Sequence, residues 1–317
     1  MQRRKPLREK RKKGKLKSKL TYGIVAGILI FVVLLAYSLL PKNPSSDDQT
    51  SPPKAALIDH LSFSSPPRNE FERAQWETFK NQCRTILEDA GFNYTYHRGE
   101  EVTVDFYKNL PTYDYSLMIL RVHSAVIKTA EGNLTELVGL FTSEICNGTT
   151  ESKYSFEIDQ GRLAKARLFA EKDDWYFGIT PLFVQSDSMI GNFRNTVIIM
   201  TGCEGLNQTA MADALVHWKK AGVYISWTGL VSISHTDQST IQLLRNLFEQ
   251  NQTIKTAVVE GISPDPTWGG ELDYYPKDVG DDTIQDFISG LTLTIANISL
   301  ICYEVCLSSS NRFEAMK

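Results

Sequence analysis

The sequence lacks the features that mark several common classes of protein. It has 5 Cys among 317 residues, which is too few for a disulfide-dense scaffold, and it contains no Gly-rich phosphate-binding loop and no internal repeat. Residues 41–317 carry 23 basic and 36 acidic residues, a net charge of −13. That balance argues against nucleic-acid binding by the main domain, because basic side chains must offset the phosphate charge.

Charge is also absent from one stretch of the chain. Residues 21–40 contain no Asp, Glu, Lys or Arg, with Tyr22 and Tyr37 near the two ends. A helix of twenty residues rises about 30 Å, enough to cross the hydrocarbon core of a membrane. A cleaved signal peptide is the alternative, but its apolar core is shorter, roughly 7–15 residues, and Ser38-Leu39-Leu40-Pro41 is a poor cleavage site. We therefore expect an uncleaved transmembrane helix.

The flanking charges predict the orientation of this helix. Residues 1–20 hold eleven Lys or Arg and one acid, so the basic tail is expected to be cytoplasmic and residues 41–317 to be outside the cell membrane. A nucleic-acid arm is the other interpretation of the tail, but its position beside the span favours topogenic charge and contact with anionic lipid. Glycosylation sequons, an expected mark of an extracellular domain, occur at six positions: Asn93, Asn133, Asn147, Asn207, Asn251 and Asn297.

The remaining chain predicts a single α/β domain. Residues 41–69 are rich in Pro, Ser and Asp and predict a stalk, which leaves residues 70–280 as the domain and residues 281–317 as an extension without an assigned role. Near-continuous apolar runs, typical of strands in a helix-covered parallel sheet, cover residues 116–122, 196–200 and 223–227. Helical periodicity covers residues 70–90, 208–220 and 236–250. The pattern predicts a three-layer sandwich with a mostly parallel sheet, preceded by one transmembrane helix. Residues 134–142 and 175–184 resemble strands outside that sheet.

Two candidate catalytic side chains follow two of the apolar runs. His123-Ser124 follows the first run, and Thr201-Gly202-Cys203 follows the second. The carboxyl ends of neighbouring parallel strands meet at one edge of a sheet, where ligands and catalytic groups gather. An imidazole and a thiol at that edge are the groups that nucleophilic acyl transfer requires. A thiol beside His123 is also expected to be held partly as thiolate.

The order of these segments resembles the caspase-like cysteine peptidases, which include caspases, legumain, clostripain, gingipains and separase. In that family His-Gly follows one strand and Ala-Cys follows the next, where this chain has His123-Ser124 and Gly202-Cys203. Residues 222–232, with a Trp in the strand, and residues 251–257 resemble segments that follow the nucleophile in bacterial and archaeal members. The resemblance covers roughly residues 75–275.

The resemblance implies a role for each of these residues. Cys203 would be the nucleophile, His123 the general acid and base, and the backbone N–H groups of Ser124 and Cys203 the oxyanion hole. Thr201, Trp227 and Thr228 would line the substrate pocket, where no counter-charge is offered to Asp, Arg or Lys. We therefore expect a peptidase that cleaves peptide or protein substrates and uses no cofactor. At the cleaved position it should not require Asp; its first preference should be a polar or small uncharged residue, and its second preference a basic one. Glu204, Asp237 or Glu271 could still enter the pocket.

Several alternatives stay open. Because Ser124 stands where the family has Gly, the domain could be a catalytically inactive surface glycoprotein that acts as a binding or receptor module. A nucleophile elbow at Cys203, with His217 or His235 as its base, is less favoured because Thr201 stands where the elbow wants Gly. No metal site is expected. Disulfides are expected instead among four other cysteines, with three possible connectivities: Cys83, Cys146, Cys302 and Cys306.

Overall fold

The computed structural model describes residues 52–128, 133–167 and 174–288. The basic tail, the predicted span over residues 21–40, Asn297 and residues 289–317 lie outside these ranges, so what the sequence indicates for them stays a prediction. Within the described ranges, no helix combines the length and the apolar character needed to cross a membrane.

A six-stranded sheet forms the centre of the fold, in the order β10-β9-β8-β3-β1-β2. All neighbouring strands are parallel except β10, which runs antiparallel to β9. The α/β class with a mostly parallel sheet is therefore confirmed. The strands are β1 (Lys54–Asp59), β2 (Asn93–Arg98), β3 (Leu117–Arg121), β8 (Val197–Met200), β9 (Val223–Trp227) and β10 (Leu272–Tyr275).

Strand β1 corrects the predicted boundary of the stalk. Residues 54–59 lie inside the sheet, between β2 and β3, and Ala55–Ile58 are fully buried. The Pro- and Ser-rich composition of residues 41–69 concealed a short apolar run, Ala55-Ala56-Leu57-Ile58, which is long enough for a buried strand. The folded domain therefore begins well before residue 70.

A second, antiparallel sheet has the order β4-β5-β7-β6. Its strands are β4 (Ser124–Lys128), β5 (Leu134–Ile145), β6 (Leu163–Ala166) and β7 (Tyr176–Ile179). The prediction that residues 134–142 form a strand outside the parallel sheet is confirmed. Only the first part of residues 175–184 is a strand, because Thr180 caps a helix there: its side chain accepts the Phe183 N–H, and Pro181 occupies the first turn.

Helices cover the six-stranded sheet. On one face, α2 (Glu70–Asp89) packs through Phe79, Cys83 and Leu87, and α8 (Ile233–Phe248) packs through Leu243, Leu244 and Leu247. The opposite face packs against the second sheet and several shorter helices. The other α-helices are α1 (Leu61–Ser64), α3 (Val104–Asn109), α4 (Gly148–Lys153), α5 (Ser155–Asp159), α6 (Pro181–Gln185), α7 (Ala210–Asp213) and α9 (Ile284–Ile288), with π-helical turns at Ala214–Trp218 and Thr256–Glu260.

Candidate active site

His123 and Cys203 follow adjacent parallel strands in the same register. Strand β3 pairs with β8 so that Leu120 lies opposite Met200. His123 and Cys203 each come three residues after that pair, at the carboxyl edge of the sheet. The predicted juxtaposition of the two segments is therefore confirmed at the level of the backbone.

The two segments are also joined directly. The Ser124 hydroxyl donates a hydrogen bond to the backbone carbonyl of Cys203. Gly202 fits between them, because a Cβ atom at this position would meet the Val122 carbonyl oxygen and the Ser124 Oγ. The residue after the histidine thus holds the backbone of the cysteine loop.

The His123 ring is half-buried and held from the chain segment after β1. Its Nε2 lies 3.0 Å from Ser65 Oγ, and its ring meets the ring of buried His60 edge-on, with centroids 6.1 Å apart. Burial, together with the positive charge of Arg121, lowers the pKa of His123 to about 4. The imidazole is therefore neutral at physiological pH, the state in which it can accept a proton.

The Cys203 thiol donates a hydrogen bond to the Val231 carbonyl, 3.5 Å away. Within the described residues, no hydrogen bond joins this thiol to the His123 ring. Burial is the main cause of a raised pKa at Cys203, and the charge of Glu204 adds to it. The expectation that Cys203 is held partly as thiolate is therefore wrong for this arrangement: the thiol and the His123 imidazole are both neutral.

A cleft of about 1040 Å³ opens between α2 and α8 at this edge. His123 and Arg121 line it, together with Val231, whose carbonyl binds the thiol. Apolar side chains form much of the wall, and Phe71 on the rim is 72% exposed. Its volume is in the range of ligand-binding sites, and an exposed apolar rim is typical of a binding surface.

A largely buried ion triad lies in the wall of the cleft, since two of its members, Arg121 and Asp237, line it. Arg121 donates two hydrogen bonds to Asp237, of 2.7 and 2.9 Å, and one of 2.7 Å to Asp59. Trp76 Nε1 and the Tyr96 hydroxyl donate to the other oxygen of Asp59. With one guanidinium and two carboxylates, every charged group has a partner, which is the condition for keeping such groups away from water.

The predicted substrate pocket is not formed by the residues assigned to it. Trp227 is 1% exposed and donates from Nε1 to the Thr236 hydroxyl, which in turn donates to the Thr201 carbonyl. The half-buried Thr228 donates to the Glu271 carbonyl. None of the three lines the cleft. Every β9 residue is buried, and Trp227 packs into the core under α8. Of the three acids considered, only Asp237 lines the cleft.

The other candidate residues lie elsewhere. The exposed His217 faces the Tyr275 hydroxyl, and the half-buried His235 faces the Ser263 carbonyl. Cys83 and Cys146 are buried free thiols, so the predicted disulfides do not join these two. Across the part of the chain that the structure describes, no group of three or more His, Cys, Asp or Glu could hold a metal ion. Five sequon asparagines are exposed: Asn93, Asn133, Asn147, Asn207 and Asn251.

Sequence reasoning missed Asp59 and Ser65 because it assigned both to the stalk. Asp59 ends the apolar run Ala55–Ile58, so the rule that located His123 and Cys203 at strand ends would also have located Asp59. No sequence signal points to Ser65, since its contact with His123 joins residues 58 positions apart.

No protein-family model matches the chain, and no curated protein matches it.

Proposed function

We propose that this chain is a membrane-anchored cysteine peptidase whose outer domain hydrolyses peptide bonds at Cys203. One observation carries the proposal: the His123-Ser124 and Gly202-Cys203 segments share a register on adjacent parallel strands and are joined by the bond from Ser124 to Cys203. The cleft that His123 lines is large enough for a peptide segment. Cys203 is not among its lining residues and is linked to it through the Val231 carbonyl. The resemblance to caspase-like peptidases gives the same two residues the same roles.

The proposed reaction begins from the neutral pair. As Cys203 Sγ attacks the scissile carbonyl carbon, its proton passes to His123, and the carbonyl oxygen becomes an oxyanion. The C–N bond then breaks, the imidazolium gives its proton to the leaving amine, and a thioester remains on Cys203. Water attacks the thioester while His123 accepts its proton. The carboxylic acid product leaves, and the proton returns to the thiol.

His123 acts in this scheme through one ring nitrogen, and Ser65 orients the other. With Nε2–H donating to Ser65 Oγ, Nδ1 is the free acceptor. To give its proton to Nδ1, the thiol must first break its hydrogen bond to the Val231 carbonyl. Because Val231 forms part of the cleft wall, we propose that a bound peptide breaks this contact and frees the thiol. Catalytic hydrogen bonds often form only in the substrate complex.

A second function is favoured by a different observation. The Cys203 thiol is hydrogen-bonded to Val231 and the His123 imidazole to Ser65, and no hydrogen bond joins the thiol to the imidazole. A domain that keeps this arrangement when a peptide occupies the cleft would be a binding or receptor module without catalysis. The two functions differ in one property, the chemical reactivity of Cys203 toward a bound peptide.

We further propose that this activity lies outside the cell, with residues 21–40 as the anchor. The eleven basic residues before the span support this orientation, and the exposed sequon asparagines are compatible with glycosylation there. External protease added to intact cells should remove the domain and leave the basic tail protected. A domain that stays intact under those conditions contradicts the topology.

Peptide hydrolysis by the full chain tests the function. Cys203→Ala should abolish hydrolysis of a mixed peptide library, and His123→Ala should lower kcat/KM by about 10²–10⁴-fold, the usual contribution of a general acid and base. Cys146→Ala is the matched control, since it removes another thiol whose hydrogen-bond partner is Glu151 and not a residue of the site, and it should retain activity. Peptide binding without hydrolysis in the wild type would favour the binding module.

A further inference from the structure

Glu204, the residue after the proposed nucleophile, has an unusual backbone conformation. Its φ is 58°, in the left-handed region that glycine adopts freely and a residue with a side chain adopts at a cost. Its N–H donates to the Gly229 carbonyl, 2.8 Å away, which fixes the turn. Glycine would make the same turn without strain, so the presence of Glu calls for a role of its side chain.

The Glu204 carboxylate bridges to the second sheet. Its Oε2 accepts the backbone N–H of Val126 on β4 at 3.3 Å, and its Oε1 accepts Asn207 Nδ2 at 3.4 Å. Strand β4 is an edge strand, so the side of Val126 away from β5 has no strand partner. Glu204 therefore attaches the free edge of β4 to the cysteine loop.

The register of β4 extends this contact to Ser124. The Phe141 N–H donates to the His123 carbonyl, which makes these two residues a hydrogen-bonded pair and makes Ser124 and Leu140 the next, non-bonded pair. In that alternation the N–H groups of Ser124 and Val126 both point away from β5. Since the Val126 N–H reaches Glu204, the Ser124 N–H faces the same side, toward the loop that carries Cys203.

We propose that Glu204 is a positioning residue that holds the edge of β4 against the cysteine loop, so that the Ser124 N–H is aimed at the oxyanion. This inference rests on the proposed peptidase function. An oxyanion hole requires donors that are fixed before the charge develops. The Ser124 hydroxyl joins the first residue of β4 to the cysteine loop, and the Glu204 carboxylate joins β4 to the same loop two residues further on, at Val126.

The charge of Glu204 makes it possible to distinguish a positioning role of its side chain from an electrostatic one. A carboxylate beside the thiol opposes the negative charge that develops at Cys203, so charge alone would make Glu204 a hindrance. Glu204→Gln keeps an oxygen acceptor for the Val126 N–H and removes the charge. Glu204→Ala removes both, and Glu204→Gly additionally relieves the backbone strain. A positioning role predicts that Gln retains function and that Ala and Gly both lose it.

The test compares two reactions of Cys203 in the full chain. A peptide aldehyde forms a tetrahedral adduct that uses the oxyanion hole, whereas alkylation by iodoacetamide does not. For Glu204→Ala and Glu204→Gly we expect kcat and aldehyde affinity to fall by about 100-fold, the usual effect of losing one oxyanion donor. KM and the alkylation rate of Cys203 should change less than about threefold. Glu204→Gln should stay near the wild type, as should Glu136→Ala, which removes an exposed carboxylate from β5.

Each outcome bears on the proposal. An unchanged kcat in Glu204→Ala overturns the role of Glu204 alone, provided that Cys203→Ala is inactive. A loss in Glu204→Gln as large as in Glu204→Ala also overturns it, because charge would then be the cause. Equal losses of alkylation and aldehyde binding would mean that the loop has collapsed, and this too overturns it. Hydrolysis that persists in Cys203→Ala contradicts the peptidase function, whatever Glu204 does.

Discussion

Ser124 Oγ lies 2.5 Å from the point that a Cβ atom on Gly202 would occupy. The Ser124 side chain fills the volume that Gly202 leaves empty, so the two residues are matched in size. A side chain at position 202 would meet the Ser124 hydroxyl and the Val122 carbonyl oxygen.

Gly202→Ala should therefore lower the free energy of unfolding by about 1–3 kcal/mol, the typical cost of overpacking. The double variant Ser124→Gly with Gly202→Ala should recover only part of the loss, because the Cβ would still meet the Val122 carbonyl. Urea denaturation of the two variants and the wild type measures both effects. Wild-type stability in Gly202→Ala would show that the close approach of these segments is incorrect.

The buried ion triad makes Arg121 the most sensitive charged residue near the cleft. Arg121→Met leaves Asp59 and Asp237 without their cation, and we expect a loss of about 3–5 kcal/mol in the free energy of unfolding at pH 7. Arg84→Met is the matched control: its pair with Glu88 is on the surface, so the expected loss is below about 1 kcal/mol. Losses of equal size in the two variants would contradict the account of the triad.

The same variant should change the pH dependence of stability. Burial already raises the pKa of Asp237, and removing Arg121 takes away the charge that opposes this rise. A carboxyl whose pKa is raised on folding stabilises the protein most below its unfolded pKa, and that stability is lost as pH rises through the folded pKa. Arg121→Met should therefore regain part of its lost stability when the pH is lowered from 7 toward 4, as thermal denaturation would show.

The pH profile of hydrolysis reports on His123. Burial and the charge of Arg121 lower its pKa to about 4, and a general base must be neutral. The acid limb of kcat/KM should thus lie near pH 4 rather than near the ordinary value of 6.5. An acid limb at pH 6–7, measured with a neutral peptide, would mean that His123 is not held in this environment.

The cleft also predicts which substrates are excluded. Arg121 is engaged by two carboxylates, and Arg245 lies twelve residues into α8, about 18 Å along the helix from the end beside Val231. Neither is free to hold an acidic side chain at the scissile bond. A peptide library should therefore show no strict requirement for Asp. Strict cleavage after Asp would contradict this and would make Arg68, the third arginine of the cleft, the residue that binds the acidic side chain.

Local pattern was enough to predict part of this structure. Three strands of the sheet are near-continuous apolar runs, and α2 shows its buried face in the spacing of Phe79, Cys83 and Leu87. Strand ends then located His123 and Cys203. These predictions need only the local sequence, that is, the residues of each helix or strand and those next to it.

The rest depends on contacts between distant segments. Strand β1 was hidden because four apolar residues follow a Pro-rich stretch. The resemblance assigned Trp227 to a pocket, and the pattern of β9 could not correct this, because a strand buried on both faces does not tell which way a side chain points. The cleft and the ion triad form only when β1, α2 and α8 come together, as the bond over 116 residues from Arg121 to Asp237 illustrates.

Site-resolved labelling of Cys203 by a peptide carrying an electrophilic acyloxymethyl ketone tests the central claim most directly. Mass spectrometry of the full chain should show a single adduct, on Cys203, that is absent in Cys203→Ala and at least tenfold slower to form in His123→Ala. Cys146→Ala should label like the wild type. Labelling of Cys203 that is no faster than that of Cys146, or that does not depend on His123, would contradict the claim that these two residues form a catalytic pair.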